Sequence, residues 1–151
     1  MALEQLVRAE LAEPVDPKVT RIAEAIAARH GAASRTVLFY GSCLREKNLN
    51  GLMLDFYLIV SDYRAAYPKV WLRIANRLVP PNVFPIEVDG LAAKYAVLSE
   101  ADFHRLNGPE TRNVSVWARF AQPSRLVWAS DAAARDCAVA AIARATPTLL
   151  G

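Results

Sequence analysis

This sequence is poor in the features that would mark a secreted, metal-clustered or membrane-spanning protein. It has two cysteines, Cys43 and Cys137, and neither lies in a metal-ligand or redox spacing. No stretch approaches the ~20 apolar residues that a spanning helix needs. The first 15 residues contain three glutamates, which is unlike a signal or transit peptide. We therefore expect a soluble or peripheral protein of the cytoplasm, a reducing compartment.

The excess of positive over negative charge is also small. The formal net charge is +3, from 18 basic and 15 acidic residues. This is too small for a nucleic-acid-binding tail, and it is compatible with anionic substrates or an anionic membrane surface. With 54% hydrophobic residues, 151 residues suffice for one domain with a sizeable core. We expect a single domain over residues 1–151 and no nucleic-acid partner.

Apolar periodicity and turn residues predict an α/β domain. Asp16-Pro17 is typical of a helix start, and Gly31 of its end. Further helices are predicted over residues 63–79, from Ser99 through Leu106, and over residues 112–121 and 131–145. Strands are predicted over Thr36–Tyr40, Leu54–Val60, Val83–Val88 and Ala92–Leu98, the last two joined by a hairpin turn at Asp89-Gly90. The result is a mixed sheet of about four strands within residues 35–100, flanked by helices, and a helical part over residues 101–151.

The spacing between a Gly-Ser turn and an acid inside the next strand indicates a candidate catalytic site. The strand Thr36–Tyr40 runs into Gly41-Ser42, and thirteen residues after Ser42 comes Asp55, inside the next strand. Glycine lets a phosphate approach the backbone closely, and serine donates a hydrogen bond without bulk. This order is typical of polymerase-β-like nucleotidyltransferases, which hold a nucleoside triphosphate and Mg²⁺. A lone Gly-Ser pair is better explained by an ordinary strand-ending turn, so the prediction depends on the acid that follows at this distance inside a strand.

Strand alternation places Asp55 and Tyr57 on one face and an apolar set on the other, so we expect Asp55 and Tyr57 to face the site. Most of this superfamily carries a second metal-binding acid where Tyr57 stands. Glu87 is the candidate replacement, on a strand expected beside the Asp55 strand, so that two facing carboxylates share one ion. The alternatives are an Asp55 that pairs with an arginine and a Glu87 that faces solvent.

Two basic residues are candidates for phosphate contacts. Lys94 opens a predicted strand and can offset charge on a phosphate. Arg45 follows the Gly-Ser turn closely enough to reach a phosphate as well. An exposed lysine at a strand start is the equally open alternative for Lys94.

The segments YGS, MLDF, NVFPIEVDGLAAKYAVLSEADF and WARFAQPSRLVW resemble the mitochondrial-type phosphatidate cytidylyltransferases, which are peripheral CDP-diacylglycerol synthases with bacterial relatives. The resemblance covers about Thr36 to Ala145. It implies a Mg²⁺-dependent reaction of CTP with phosphatidate at the inner face of a membrane, and it implies site roles for Gly41, Ser42, Asp55 and Lys94. We expect the C-terminal part to be shortened relative to that family, so that lipid handling is lost or supplied by a second subunit.

Two other functions remain open. The first is nucleotidylation of a protein or a small molecule on the same fold. The second is a catalytically silent module that binds nucleotide or lipid headgroups, which the missing second acid favours.

Overall fold

A computed structural model describes residues 2–41, 48–66, 82–108 and 124–150. Its helices are α1 (Ala2–Leu11), α2 (Pro17–His30), α3 (Tyr63–Ala66), α4 (Glu100–Leu106) and α5 (Ala132–Leu150). Its strands are β1 (Ser34–Tyr40), β2 (Met53–Val60), β3 (Asn82–Val88), β4 (Leu91–Ser99) and β5 (Ser124–Ala129). A short 3₁₀ turn, Gly31–Ala33, joins α2 to β1. The predicted α/β class is confirmed.

The strands form one mixed sheet in the order β3-β4-β2-β1-β5. β2 and β4 are parallel, and every other neighbouring pair is antiparallel. The predicted mixed sheet is confirmed, with five strands where about four were expected. The fifth strand, β5, lies in the part after residue 100 that was predicted as helical, and it pairs with β1 at the sheet edge. A six-residue strand that begins directly after a proline carries little periodic signal of its own, and its pairing with β1 decides its conformation.

Local signals set the ends of several elements as predicted. Asp16 caps α2, accepting a hydrogen bond from the Lys18 N–H at 2.9 Å, and Gly31 follows with φ +54°. Such caps stabilise a helix by about 1 kcal/mol. Asp89 and Gly90 have φ values of +54° and +78°, the left-handed pair that a two-residue hairpin between β3 and β4 requires. Ser99 caps α4 through the Asp102 N–H at 3.1 Å.

Both faces of the sheet are covered. The first face packs Leu54, Phe56 and Leu58 of β2 against the apolar stripe of α2. The second face packs Leu38, Tyr57 and Ile59 against residues of α1, α4 and α5. The predicted apolar face of β2 is therefore confirmed, and the alternate face is mostly core as well. Within the described ranges, no helix is long and apolar enough to cross a membrane.

The remaining predicted elements fall partly or wholly outside the described residues. Of the helix predicted over 63–79, the structure describes only Tyr63–Ala66. The helix predicted over 112–121 lies outside the described ranges, as do the candidate nucleotide contacts Ser42 and Arg45.

Candidate functional site

Asp55 lies near the start of β2, at the end of the sheet where β1 runs into Gly41. Across the antiparallel pair it faces Tyr40, the last residue of β1. Across the parallel pair it faces Lys94 of β4. Strand pairing thus brings together Gly41, Asp55 and Lys94, three of the residues that the sequence singled out.

Asp55 and Lys94 form a loose ion pair. Nζ of Lys94 lies 3.5 Å from Oδ1 of Asp55, and their side chains are 52% and 29% exposed. Solvent screens a pair this open, so its contribution to stability is small. Lys94 nevertheless places a mobile positive charge beside the carboxylate, where an incoming phosphate would also meet it.

The carboxylate of Asp55 keeps an unused lone pair. Its Oδ1 atom is buried and has no hydrogen-bond partner, because the contact with Lys94 is an ion pair without hydrogen-bond geometry. A buried charged oxygen without a hydrogen bond is costly, and native structures rarely leave one unless a ligand or catalytic role explains it. Carboxylate oxygens are hard ligands of the kind that Mg²⁺ prefers.

Gly41 brings the backbone next to that carboxylate. Its φ is +97°, a conformation that other residues adopt only with strain. A Cβ at this position would lie 3.5 Å from Oδ2 of Asp55. Glycine here therefore permits the bend and also leaves open the space in front of the second carboxylate oxygen.

Tyr57 does not share the site with Asp55, contrary to the prediction from strand alternation. Its side chain is fully buried in the second core, where its ring lies 5.1 Å from that of Tyr40. The two residues do share a sheet face, but the helices of the second core cover that face at Tyr57 and leave Asp55 part-exposed at the edge.

The expected position of Glu87 is wrong. β4 lies between β3 and β2, and Glu87 pairs with Ala92, which in turn pairs with Met53. Two strand spacings separate Glu87 from β2, which is about 10 Å. Glu87 is exposed and does not face Asp55 from a neighbouring strand. The alternation of side chains along a strand predicts which face of the sheet a residue occupies, but it does not predict the order of the strands.

Of the two predicted metal ligands, Asp55 and Glu87, only Asp55 lies at the candidate site and could bind a magnesium ion there. Mg²⁺ commonly binds through one or two carboxylates, several waters and the phosphates of a substrate. The unpartnered Oδ1 of Asp55 meets that minimal requirement. Within residues 2–41, 48–66, 82–108 and 124–150, no three His, Cys, Asp or Glu side chains lie together as a metal-holding group.

A second polar cluster, on the other sheet face, was missed at the sequence level. His30 Nδ1 lies 3.1 Å from the Ala66 carbonyl and Nε2 lies 3.0 Å from the Tyr95 hydroxyl. The first contact requires Nδ1 to donate, so Nε2 accepts from the hydroxyl in the neutral ring. Burial lowers the pKa of His30, despite its place at a helix C-terminus that favours a cation. No spacing in the sequence connects these three residues.

Comparison with known proteins does not assign the chain to a family. No protein-family model matches the chain, and no curated protein sequence matches it.

Proposed function

We propose that this protein is a Mg²⁺-dependent nucleotidyltransferase that uses CTP to convert phosphatidate to CDP-diacylglycerol. The observation that carries the proposal is the Asp55 carboxylate, whose buried Oδ1 has no hydrogen bond and which lies beside the Gly41 bend and Lys94. The choice of CTP and phosphatidate rests on the sequence resemblance of the YGS, MLDF and DGLAAKY segments.

Each residue has a separate task in the proposed reaction. Asp55 would hold Mg²⁺, which when bound offsets charge on the triphosphate. Gly41 admits a phosphate to the backbone because it has no side chain. Lys94 supplies a positive charge to the phosphates and stabilises the charge that develops as the bond breaks. Ser42 and Arg45 remain predicted nucleotide contacts.

The chemistry is a phosphoryl substitution. A phosphate oxygen of phosphatidate forms a bond to the α-phosphorus of CTP. The bond from that phosphorus to the oxygen bridging to the β-phosphate breaks, and pyrophosphate leaves. No electron donor or acceptor is needed, so positioning and charge stabilisation are the main tasks of the protein.

A catalytically silent binding module is the second candidate. Tyr57 is packed in the core where the superfamily carries its second acid, and Glu87 lies beyond β4. A site with one carboxylate can bind a nucleotide and its ion without the second carboxylate that most of the superfamily uses for transfer. This candidate therefore predicts binding without turnover.

One assay separates the candidates. The protein is incubated with Mg²⁺, phosphatidate in mixed micelles and each α-³²P-labelled nucleoside triphosphate. We expect labelled lipid from CTP, a loss of at least about 100-fold in Asp55→Asn, and a smaller loss in Lys94→Gln. The matched control is Asp136→Asn, which changes an exposed carboxylate paired with Arg8.

Other outcomes contradict the proposal in distinct ways. Label on protein or on a water-soluble acceptor moves the function to that acceptor class. Nucleotide binding by equilibrium dialysis without any transfer identifies the silent module. Equal activity in the Asp55 and Asp136 variants removes the proposed site.

Peripheral membrane attachment is the last part of the proposal. Its support is the net charge of +3, which would attract an anionic inner membrane face. We expect binding to vesicles that contain anionic lipid to weaken as salt rises, because surface charges are screened over about 8 Å at physiological ionic strength. Binding that is independent of salt excludes surface charge as the anchor.

A further inference from the structure

A pocket of about 530 Å³ lies between α4, α5 and the second face of the sheet. Its volume falls in the range of small-molecule sites, which is roughly 300–1,000 Å³. The sheet contributes Thr36 of β1 and Ile59 of β2, which are paired across the two strands. Ile59 is four residues beyond Asp55, or about 13 Å along the strand, so this pocket is separate from the candidate nucleotide site.

Most of the pocket wall is hydrocarbon. The apolar lining residues are Ile59, Ala101, Phe103, Ala138 and Ala140, and the polar ones are Thr36, Glu100, His104 and Cys137. An apolar wall with a few polar groups is the usual make-up of a site for an organic ligand. Hydrophobic contact would therefore supply most of the binding free energy.

Thr36 supplies a polar group that the fold itself leaves unused. The residue is 1% exposed, and its hydroxyl oxygen Oγ1 is buried without a hydrogen-bond partner. Burying a hydroxyl unpaired costs about 1–3 kcal/mol by mutational measures. Valine has the same shape and avoids that cost at a strand position of this kind. A hydroxyl here is therefore explained by a ligand that bonds to it.

The charges at the pocket favour an uncharged ligand. Among the described residues that line the pocket, Glu100 is the acidic one, and Nε of Arg35 lies 3.3 Å from its Oε1. The guanidinium of Arg35 also binds Asp131 at 3.2 Å, which fixes it beside Glu100. Desolvation and the neighbouring Glu100 raise the pKa of the Cys137 thiol, which keeps it neutral. A cationic ligand would meet a Glu100 carboxylate that is already paired with Arg35, and an anionic ligand would be repelled by that carboxylate.

We propose that this pocket binds a small neutral molecule with a mainly hydrocarbon body and one hydroxyl or carbonyl oxygen. The body contacts Phe103, Ile59 and the alanines of α5, and the oxygen forms a hydrogen bond with the Thr36 hydroxyl. This site is independent of the proposed nucleotidyl transfer, and neither requires the other.

Calorimetric titration of the full chain tests the site with two probes of equal length, 1-hexanol and 1-chlorohexane. In Thr36→Val, which keeps the shape and removes the hydroxyl, we expect 1-hexanol to bind about 3- to 10-fold more weakly, the effect of one hydrogen bond. Binding of 1-chlorohexane should change less than about twofold, and this retained binding also reports that the variant is folded.

A second variant tests the location. Ala140→Leu adds bulk to a half-buried lining position and should weaken both probes, whereas Ala28→Leu, at an exposed position of α2 on the other face of the sheet, should weaken neither. Three results overturn the proposal: no saturable binding, an equal effect of Thr36→Val on the two probes, or tighter binding of hexanoate or hexylamine than of 1-hexanol.

Discussion

Asp55 and Lys94 are direct partners across the parallel strands β2 and β4, with Nζ of Lys94 3.5 Å from Oδ1 of Asp55. Parallel pairing fixes both side chains on the same sheet face, near the end where β1 turns at Gly41. The pair is open to solvent, and Oδ1 still lacks a hydrogen bond. The pair therefore contributes little to the stability of the fold.

The first prediction concerns the stability of the Asp55→Asn variant. We expect its free energy of unfolding to change by less than about 1 kcal/mol, because the removed charge is paired only with a solvent-exposed lysine. Urea denaturation followed by circular dichroism measures this. A destabilisation above about 2 kcal/mol would instead assign Asp55 a structural role.

Gly41 is predicted to affect both the stability of the fold and the affinity for nucleotide. Gly41→Ala should destabilise the fold by about 1–2 kcal/mol through its positive φ. It should also lower nucleotide affinity, because the new Cβ lies 3.5 Å from Oδ2 of Asp55. Gly90→Ala is the matched control, since Gly90 has φ +78° but nothing within 4 Å of an added Cβ. Both variants should lose stability through their positive φ, and the prediction fails if they also bind CTP equally well.

His30 should make stability depend on pH. Its pKa in the folded protein is lowered, first by desolvation, so the unfolded chain binds the proton more tightly. Stability is therefore complete above the unfolded pKa of about 6.5 and falls as pH drops from there towards the folded pKa. Urea unfolding between pH 7.5 and 5 measures the slope. His30→Gln should flatten the slope, and an unchanged slope would contradict the assignment.

Cys137 is predicted to react slowly although it is exposed. Desolvation and Glu100 raise the pKa of its thiol, which leaves less thiolate at neutral pH. In a Cys43→Ser background, alkylation by iodoacetamide should reach its half-maximal rate at a higher pH than for a small free thiol. Glu100→Gln should move that midpoint down. A midpoint at or below that of the free thiol would show that Glu100 does not control the group.

Short-range signals predicted much of the fold correctly. The Asp16 cap, the Asp89-Gly90 hairpin and the Ser99 cap depend on residues within a few positions of one another, so the sequence contains them directly. Alternation in β2 likewise predicted which side chains pack against α2. The edge strand β5 was missed because its pairing with β1 lies far away in sequence.

The candidate site also combines features that the local sequence determines with features that only the tertiary structure determines. The chain by itself determined that an acid stands inside a strand, that a glycine ends the strand before it, and that a lysine lies on a later strand. Only the tertiary structure decided that Lys94 and not Glu87 is the neighbour of Asp55, and that Tyr57 is covered by helices. The physical reason is that alternation sets the face of a residue within its own strand, whereas hydrogen bonds between distant strands and the packing of helices set its neighbours and its access to solvent.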